Sequence, residues 1–258
     1  MTSEIKRIIS FKLSGKFAHF SKFYTNSSSL SYLIPPRTAI AGLLASILKI
    51  PRDEYYDLMS EDNLKISVRI PEGLMIRKQT HSMNNLHSKY YKLLTTGTGK
   101  GDVLHSQCKL ELLLGPPDGQ IEYIIYIGSS DEGGVISEIF RALKSGNMGY
   151  GVYLGQRQFK AEISQITDYK SDSIKYILES GQLDTICLKD NVLDLEILDD
   201  YKILVEQIPI SFRQIIIKGT KSREPISVKE VIFERSGRQL KGKFKNCYQA
   251  GNHFISFY

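Results

Sequence analysis

Residues 106–127, SQCKLELLLGPPDGQIEYIIYI, decide the fold. Two runs rich in Leu, Ile and Tyr, Ser106–Leu114 and Gln120–Ile127, flank Gly115-Pro-Pro-Asp-Gly119. Proline sets φ for a tight turn and glycine accepts φ > 0, so the stretch predicts a β-hairpin, the clearest in the chain.

Upstream, Glu4–Leu13 reads as a half-buried strand. Ile5, Ile9, Phe11 and Leu13 share one face, with a slip near Ile8. An irregular Ser- and aromatic-rich loop follows over residues 14–35, and a loop that long inside a compact unit is usually functional or disordered. Pro36–Leu48 (PRTAIAGLLASIL) places proline at the first helical position ahead of an apolar helix, with Gly42 marking close approach of another backbone. Arg52–Met59 adds a short second helix, Leu64–Ile70 alternates as a strand and Leu74–Arg77 begins another. Residues 79–103 are polar, basic and without clear period: a second long loop or a protruding hairpin. Downstream, Asp131–Lys144 starts acidic and ends basic, as the helix dipole favours, with Ile136, Ile139, Phe140 and Leu143 on one face. The glycines 146, 149, 151 and 155 then lead to a strand over Phe159–Ile166.

The order β-α-β, hairpin, α-β is that of an α+β, ferredoxin-like domain with insertions, over residues 1–166. Residues 167–258 form a smaller β-rich C-terminal part, with short runs at Thr185–Leu188, Tyr201–Ile210, Val228–Glu234 and His253–Tyr258.

At 258 residues the chain can bury a core without a staple. Three scattered cysteines without a CxxC pair exclude a zinc ribbon or a disulfide framework. No apolar run approaches the ~20 residues of a membrane span, and the N-terminus lacks the apolar core of a signal peptide. A soluble protein retained in the cytoplasm is expected. The net charge of +6 is unevenly spread: +8 over residues 1–110, −9 over 111–200 and +7 over 201–258. Two basic ends around an acidic middle suit a polyanion on one side and a basic protein neighbour on the other.

Gly149-Tyr-Gly151-Val-Tyr-Leu-Gly155 follows a helix and has the wrong spacing for a dinucleotide turn, and no GxxxxGK[ST] is present, so no nucleotide cofactor is expected. The five histidines form no HxH or HExxH pair, so no metal is expected either. The richest signal is cations interleaved with aromatics. The first loop holds Lys16, Phe17, His19, Phe20, Lys22, Phe23 and Tyr24, with Phe17, Phe20 and Phe23 read as core; Arg37 follows at the helix start. The second holds Arg77, Lys78, His81, His87, Lys89 and Tyr90. Cations neutralise phosphate and rings stack on bases, which suits single-stranded RNA. Gly15 would let backbone N–H groups face that chain. A catalytic alternative uses the same residue types: metal-independent RNA cleavage, with His19, Tyr24, His87, Lys89 and Tyr90 as candidates to deprotonate a 2′-hydroxyl or stabilise the transition state.

Three segments, in this order, carry a family resemblance: Phe11-Lys-Leu-Ser-Gly-Lys-Phe-Ala-His-Phe20, Tyr32-Leu-Ile-Pro-Pro-Arg-Thr-Ala-Ile-Ala-Gly-Leu43 and Tyr153-Leu-Gly-Gln-Arg-Gln-Phe-Lys-Ala161. Over residues 5–165 the chain resembles the RAMP superfamily of CRISPR-associated proteins, and within it the subunit that holds the 5′ handle of CRISPR RNA in type I Cascade, closest in style to type I-B. The resemblance implies an RRM-related ferredoxin-like domain with an inserted β-hairpin thumb near 79–103. It implies a non-catalytic cap on the handle, beside a backbone RAMP subunit and the large PAM-recognising subunit, with target DNA met only through the complex. The residues matching its RNA contacts are Gly15, Lys16, His19, Arg37 and Arg157. A type I-C branch cleaves pre-CRISPR RNA with a Tyr and a Lys-His pair; this chain has no Lys-His dipeptide.

Overall fold

The computed structural model describes residues 4–24, 29–86, 105–217 and 219–258. It is mostly β with two α-helices among the described residues. In chain order come β1 (Arg7–Gly15), β2 (Phe17–Ala18), β3 (Phe20–Ser21), β4 (Ser31–Tyr32), α1 (Arg37–Ile47), β5 (Lys65–Arg69), β6 (Arg77–Leu86), β7 (His105–Leu114) and β8 (Ile121–Ser129). Then follow α2 (Gly134–Ser145), β9 (Ala161–Tyr169), β10 (Ile174–Leu183), β11 (Cys187–Leu188), β12 (Val192–Glu196), β13 (Ile203–Ile217), β14 (Thr220–Glu234), β15 (Leu240–Ala250) and β16 (His253–Ser256).

The central sheet is antiparallel in the order β5-β8-β1-β9. α1 lies between β1 and β5 in the chain and α2 between β8 and β9. Period-two alternation sends Ile9, Phe11 and Leu13 of β1 and Ile121, Tyr123, Ile125 and Ile127 of β8 into the main core. There they meet Ile40, Leu43, Leu44 and Ile47 of α1 and Ile136, Ile139 and Leu143 of α2. Ile5 does not join that face; with Ile8 it packs in a second cluster against Ile255 and Phe257. A buried Arg7 ties the layers together. Its Nε and Nη2 donate to the two Asp168 oxygens of β9 at 2.8 and 2.9 Å, while Nη1 donates to Glu132 O and Ser137 Oγ at 2.8 and 2.5 Å.

The predicted hairpin does not form. Its turn does, closed by Gly119 N–H on Pro116 O at 3.1 Å, but β7 and β8 pair with different strands. β7 pairs with β6 and β2, whereas β8 lies between β1 and β5. Local turn chemistry specifies a chain reversal; what each strand pairs with follows from which apolar face must be covered. β8 buries side chains along almost its whole length and therefore takes an inner position. The second helix over Arg52–Met59 is also absent: residues 52–63 form successive turns. Pro36 caps α1 rather than occupying its first turn, and the group against Gly42 is the Tyr55 hydroxyl, 3.2 Å from where a Cβ would sit, not a backbone.

Beyond β9 the chain builds two further sheets. One is β10-β15-β12 with β16 on β15; the other is β11-β14-β13. The second closes the main core from the α1 side, contributing Ile186, Ile208, Ile210, Val231 and Phe233. β6 and β7 pair from Arg77↔Leu114 to Leu86↔His105 and so form the base of an inserted ribbon; residues 87–104, which hold most of the expected thumb, lie outside the described residues.

Candidate nucleic-acid interface

The end of β1 is clamped by the glycine loop. Gly15 sits in the ladder between Ile121 and Ala161, and a Cβ there would lie 2.7 Å from Leu154 Cδ1 and 2.9 Å from Lys160 O. Gly155, at φ +85°, is pressed so closely on the chain that a Cβ would stand 1.9 Å from His19 O. Only glycine satisfies both the angle and the approach. His19 N–H donates to Leu154 O at 3.2 Å and completes the clamp. Gly15 is therefore needed for close packing. Its backbone is committed to the sheet, which corrects the expectation that it would face RNA.

The clamp leaves a basic, aromatic patch outside. Lys16, Arg157 and Lys160 are exposed, and the half-buried Phe17 has its ring centroid 6.4 Å from that of Phe159. Lys16 Nζ stands 5.8 Å from the Phe17 centroid. Lys160 and Phe159 belong to this patch although sequence reasoning passed over them. The quoted segment Tyr153–Ala161 contained both, and only its arginine was singled out.

His19 points inward and is 1% exposed. Its Nδ1 is 2.8 Å from Glu111 O, and a carbonyl only accepts, so the proton is on Nδ1. Nε2 then accepts from Ser21 Oγ at 2.8 Å or Ser29 Oγ at 3.0 Å. Burial, the largest influence, lowers its pKa, against the Glu111 contacts that raise it. A neutral, enclosed imidazole neither stacks on a base nor meets a 2′-hydroxyl; the expectation for His19 is corrected to a structural one. Glu111 is the residue the sequence reading missed here. It also accepts Ser31 N–H at 2.8 Å and Lys78 Nζ at 3.3 Å, and so joins β4, β6 and β7 beneath the first loop. A lone carboxylate inside the apolar run KLELLL was the available signal.

Lys22 and Tyr24 lie beside this knot. Lys22 Nζ is 3.6 Å from Glu206 and stands over the Tyr24 and Tyr32 rings at 5.7 and 5.3 Å. Although burial pulls its pKa down, Glu206 and Tyr24 together raise it. Tyr24 is 52% exposed and edge-on to the exposed Phe23, whereas Phe20 is in the core and Phe17 half-buried: of the three phenylalanines read as core, one is fully so. Lys78 Nζ also donates to Ser31 O at 2.6 Å. Exposed Arg77 donates to Gly115 O from Nε at 3.3 Å and Nη2 at 2.9 Å.

Arg37 is the largest departure from the sequence reading. It is 2% exposed, with Nη2 donating to Met59 O and Leu64 O at 2.8 and 2.7 Å and Nη1 to Ile210 O at 3.2 Å. The guanidinium fork stitches α1 to the turns before β5 and to β13, with burial lowering its pKa. It offers nothing to a phosphate, so it leaves the RNA site. His87, Lys89 and Tyr90 lie outside the described residues. The structure thus places exposed Lys16 next to Phe17, which faces Phe159, and exposed Arg157 on the loop that carries Phe159; Lys22 stands over Tyr24, and Lys22 and Lys78 both act on Glu206. Among the described residues no His, Cys, Asp and Glu side chains assemble a metal-ligand set, and no helix is long and apolar enough to cross a membrane.

The model of the family described as CRISPR-associated protein (Cas_Cas5) matches residues 8–220. No curated protein matches the chain in sequence. Among solved structures, a CRISPR protein from Archaeoglobus fulgidus is 13% identical with a TM-score of 0.54, over 96% of this chain and 98% of that one. That likeness is one of fold. A chain of a CRISPR RNA-guided surveillance complex is also 13% identical, over 92% of this chain and 91% of its own, with a TM-score of 0.49. The family match spans the glycine clamp, the α1 stitch and β13, ending at the start of β14, and this chain belongs to the Cas5 family of CRISPR-associated proteins.

Proposed function

We propose that the chain is a non-catalytic subunit of a type I CRISPR surveillance complex that binds and caps the 5′ handle of CRISPR RNA. On this reading the central sheet, with its order β5-β8-β1-β9 and one helix in each half, is a ferredoxin-like RAMP domain. The β6–β7 ribbon is the base of its thumb. Neighbours would be the backbone RAMP subunit and the large PAM-recognising subunit, in a type I-B-like assembly in a prokaryotic cytoplasm, with target DNA reached through the complex.

One observation carries the reading. The glycine loop, pinned on His19 and Gly15, carries exposed Arg157 and Lys160 on either side of Phe159, whose ring faces Phe17 next to Lys16. Cations spaced around an aromatic surface fit a single strand, phosphates on the one and bases on the other. The catalytic alternative is weakened by the enclosed, neutral His19. The test incubates the purified protein with end-labelled repeat RNA in EDTA, followed on native and denaturing gels. A shifted, uncut RNA, with the 5′ handle preferred over a scrambled sequence, is expected. A single specific cut would make the protein a metal-independent endoribonuclease instead.

A further inference from the structure

Just beyond β3 the usual order of burial is inverted. Two rings lie outside: Phe23 is 39% exposed and Tyr24 more so, their centroids 5.2 Å apart at 86°. A carboxylate lies inside. Glu206 shares the core-facing side of β13 with Leu204 and Ile208. Its Oε1 is 3.6 Å from Lys22 Nζ, and the two side chains are 13% and 15% exposed. Its Oε2 is buried and accepts no hydrogen bond among the described residues. Lys22 Nζ stands in turn over the Tyr24 and Tyr32 rings at 5.7 and 5.3 Å. The backbone of the turn is pinned as well. Lys22 N–H donates to Leu30 O at 3.0 Å, and the Tyr32 hydroxyl, which donates to Gln207 O at 2.8 Å, lies against the Phe23 backbone.

Charge decides which part of a nucleotide this turn can take. A lysine in a loop suits phosphate, but the charge of Lys22 is taken up by Glu206. Lys78, the other cation acting on Glu206, is 3.3 Å from Glu111. Two lysines against two carboxylates leave no surplus for a phosphate. Ring surface is what remains outside, and it suits a base, which is flat, uncharged and stacks on any aromatic side chain. A buried ion pair adds little to stability by itself, because desolvation of both charges offsets their attraction. Here it fixes Lys22, and the cation over the ring fixes Tyr24.

We infer that Phe23 and Tyr24 form a platform on which one unpaired RNA base stacks, with Lys22 as its support rather than a phosphate contact. The inference rests on the RNA-binding reading and divides the labour within it: Lys16 and Arg157 meet phosphates, and this turn meets a base. Glu206 touches no nucleotide; it acts through Lys22 and is a positioning residue.

The test uses the full chain and single-stranded repeat RNA carrying 2-aminopurine at one position at a time, since that base loses fluorescence when it stacks on a ring. A drop at one position is expected for the unaltered chain. Tyr24→Leu and Phe23→Leu should remove most of the drop and weaken binding about fivefold or more, with the salt dependence of affinity unchanged. Tyr24→Phe should preserve both drop and affinity. These are exposed positions, and circular dichroism confirms that the variants remain folded. Glu206→Gln should shrink the drop severalfold. A drop left intact there would strike Glu206 from the assignment, and a steeper salt slope would make Lys22 a phosphate contact instead. RNA bound without a drop at any position, or with equal affinity by the leucine variants, would overturn the platform, give the rings to a protein neighbour and leave the RNA-binding reading standing. No RNA binding by the unaltered chain would overturn the platform together with that reading.

Discussion

Arg37 and Arg157 are both arginines in segments that carry the family resemblance, yet they serve opposite purposes. Arg37 is enclosed by α1, the turns before β5 and β13, and spends its donors on three carbonyls. Arg157 is exposed on a loop whose own backbone is held by close glycine packing. The difference teaches that the pattern of a motif does not reveal the direction of its side chains. A residue can characterise a family because the fold needs it, and the residues left for a ligand are those that the packing does not consume.

The contrast can be broken first by stability. Arg37→Ala leaves Met59, Leu64 and Ile210 carbonyls without this donor in the interior and should cost about 3–5 kcal/mol, at about 1–3 kcal/mol for each buried acceptor left unmade. Arg37→Lys should recover little of it, since an ammonium lacks the planar fork that reaches separated acceptors. Arg157→Ala should lie within about 0.5 kcal/mol of the unaltered chain. Urea denaturation followed by tyrosine fluorescence measures all three, and equal losses at the two arginines would dissolve the distinction.

Gly155→Ala comes next. At φ +85° with His19 O in the way, it should cost about 1–3 kcal/mol and also weaken RNA binding, because the loop carrying Arg157 would lift from β1. Loss of stability with unchanged RNA affinity would separate the clamp from the patch.

A smaller effect sharpens the assignment of His19. Its folded-state pKa is depressed below the ordinary 6.5, mainly by burial, so the unfolded chain binds the extra proton first. Its stabilising contribution is full above about pH 6.5 and is lost as pH falls through the lower folded value. His253 is depressed too, so the clean readout is a difference: stability of His19→Asn should fall less steeply between pH 6.5 and 5 than that of the unaltered chain. Parallel pH profiles would mean that His19 is not the enclosed neutral imidazole described above.

Much of the central sheet was legible in sequence because its cause is local. The alternation in β1 and the 3.6-residue period of α2 each reflect a face that must be covered, and apart from Ile5 those faces are covered as read. Pairing partners were not legible. The GPPDG turn, a strong hairpin signal, joins strands of different sheets: β8 pairs along its two edges with β1 and β5, which leaves no edge for β7. β10, β12 and β15 escaped notice for the converse reason. Their burial is intermittent, with charged residues at many positions, so no period stands out. At the site, Lys16 and Arg157, named as RNA contacts, are exposed. Residue type misplaced His19, Gly15 and Arg37, whose roles depend on Glu111, Leu154 and Ile210, residues distant in the chain.

The most direct measurement titrates single-stranded repeat RNA with the unaltered protein and with the Lys16→Ala, Arg157→Ala double variant across a series of salt concentrations. Each phosphate neutralised contributes about −0.7 to the slope of log affinity against log salt. If the clamped patch grips the RNA, the double variant should bind more weakly, with a slope shallower by about 1.4, while its urea midpoint stays unchanged. An unchanged affinity and slope in a folded double variant would contradict the account and move the RNA to another face of the molecule.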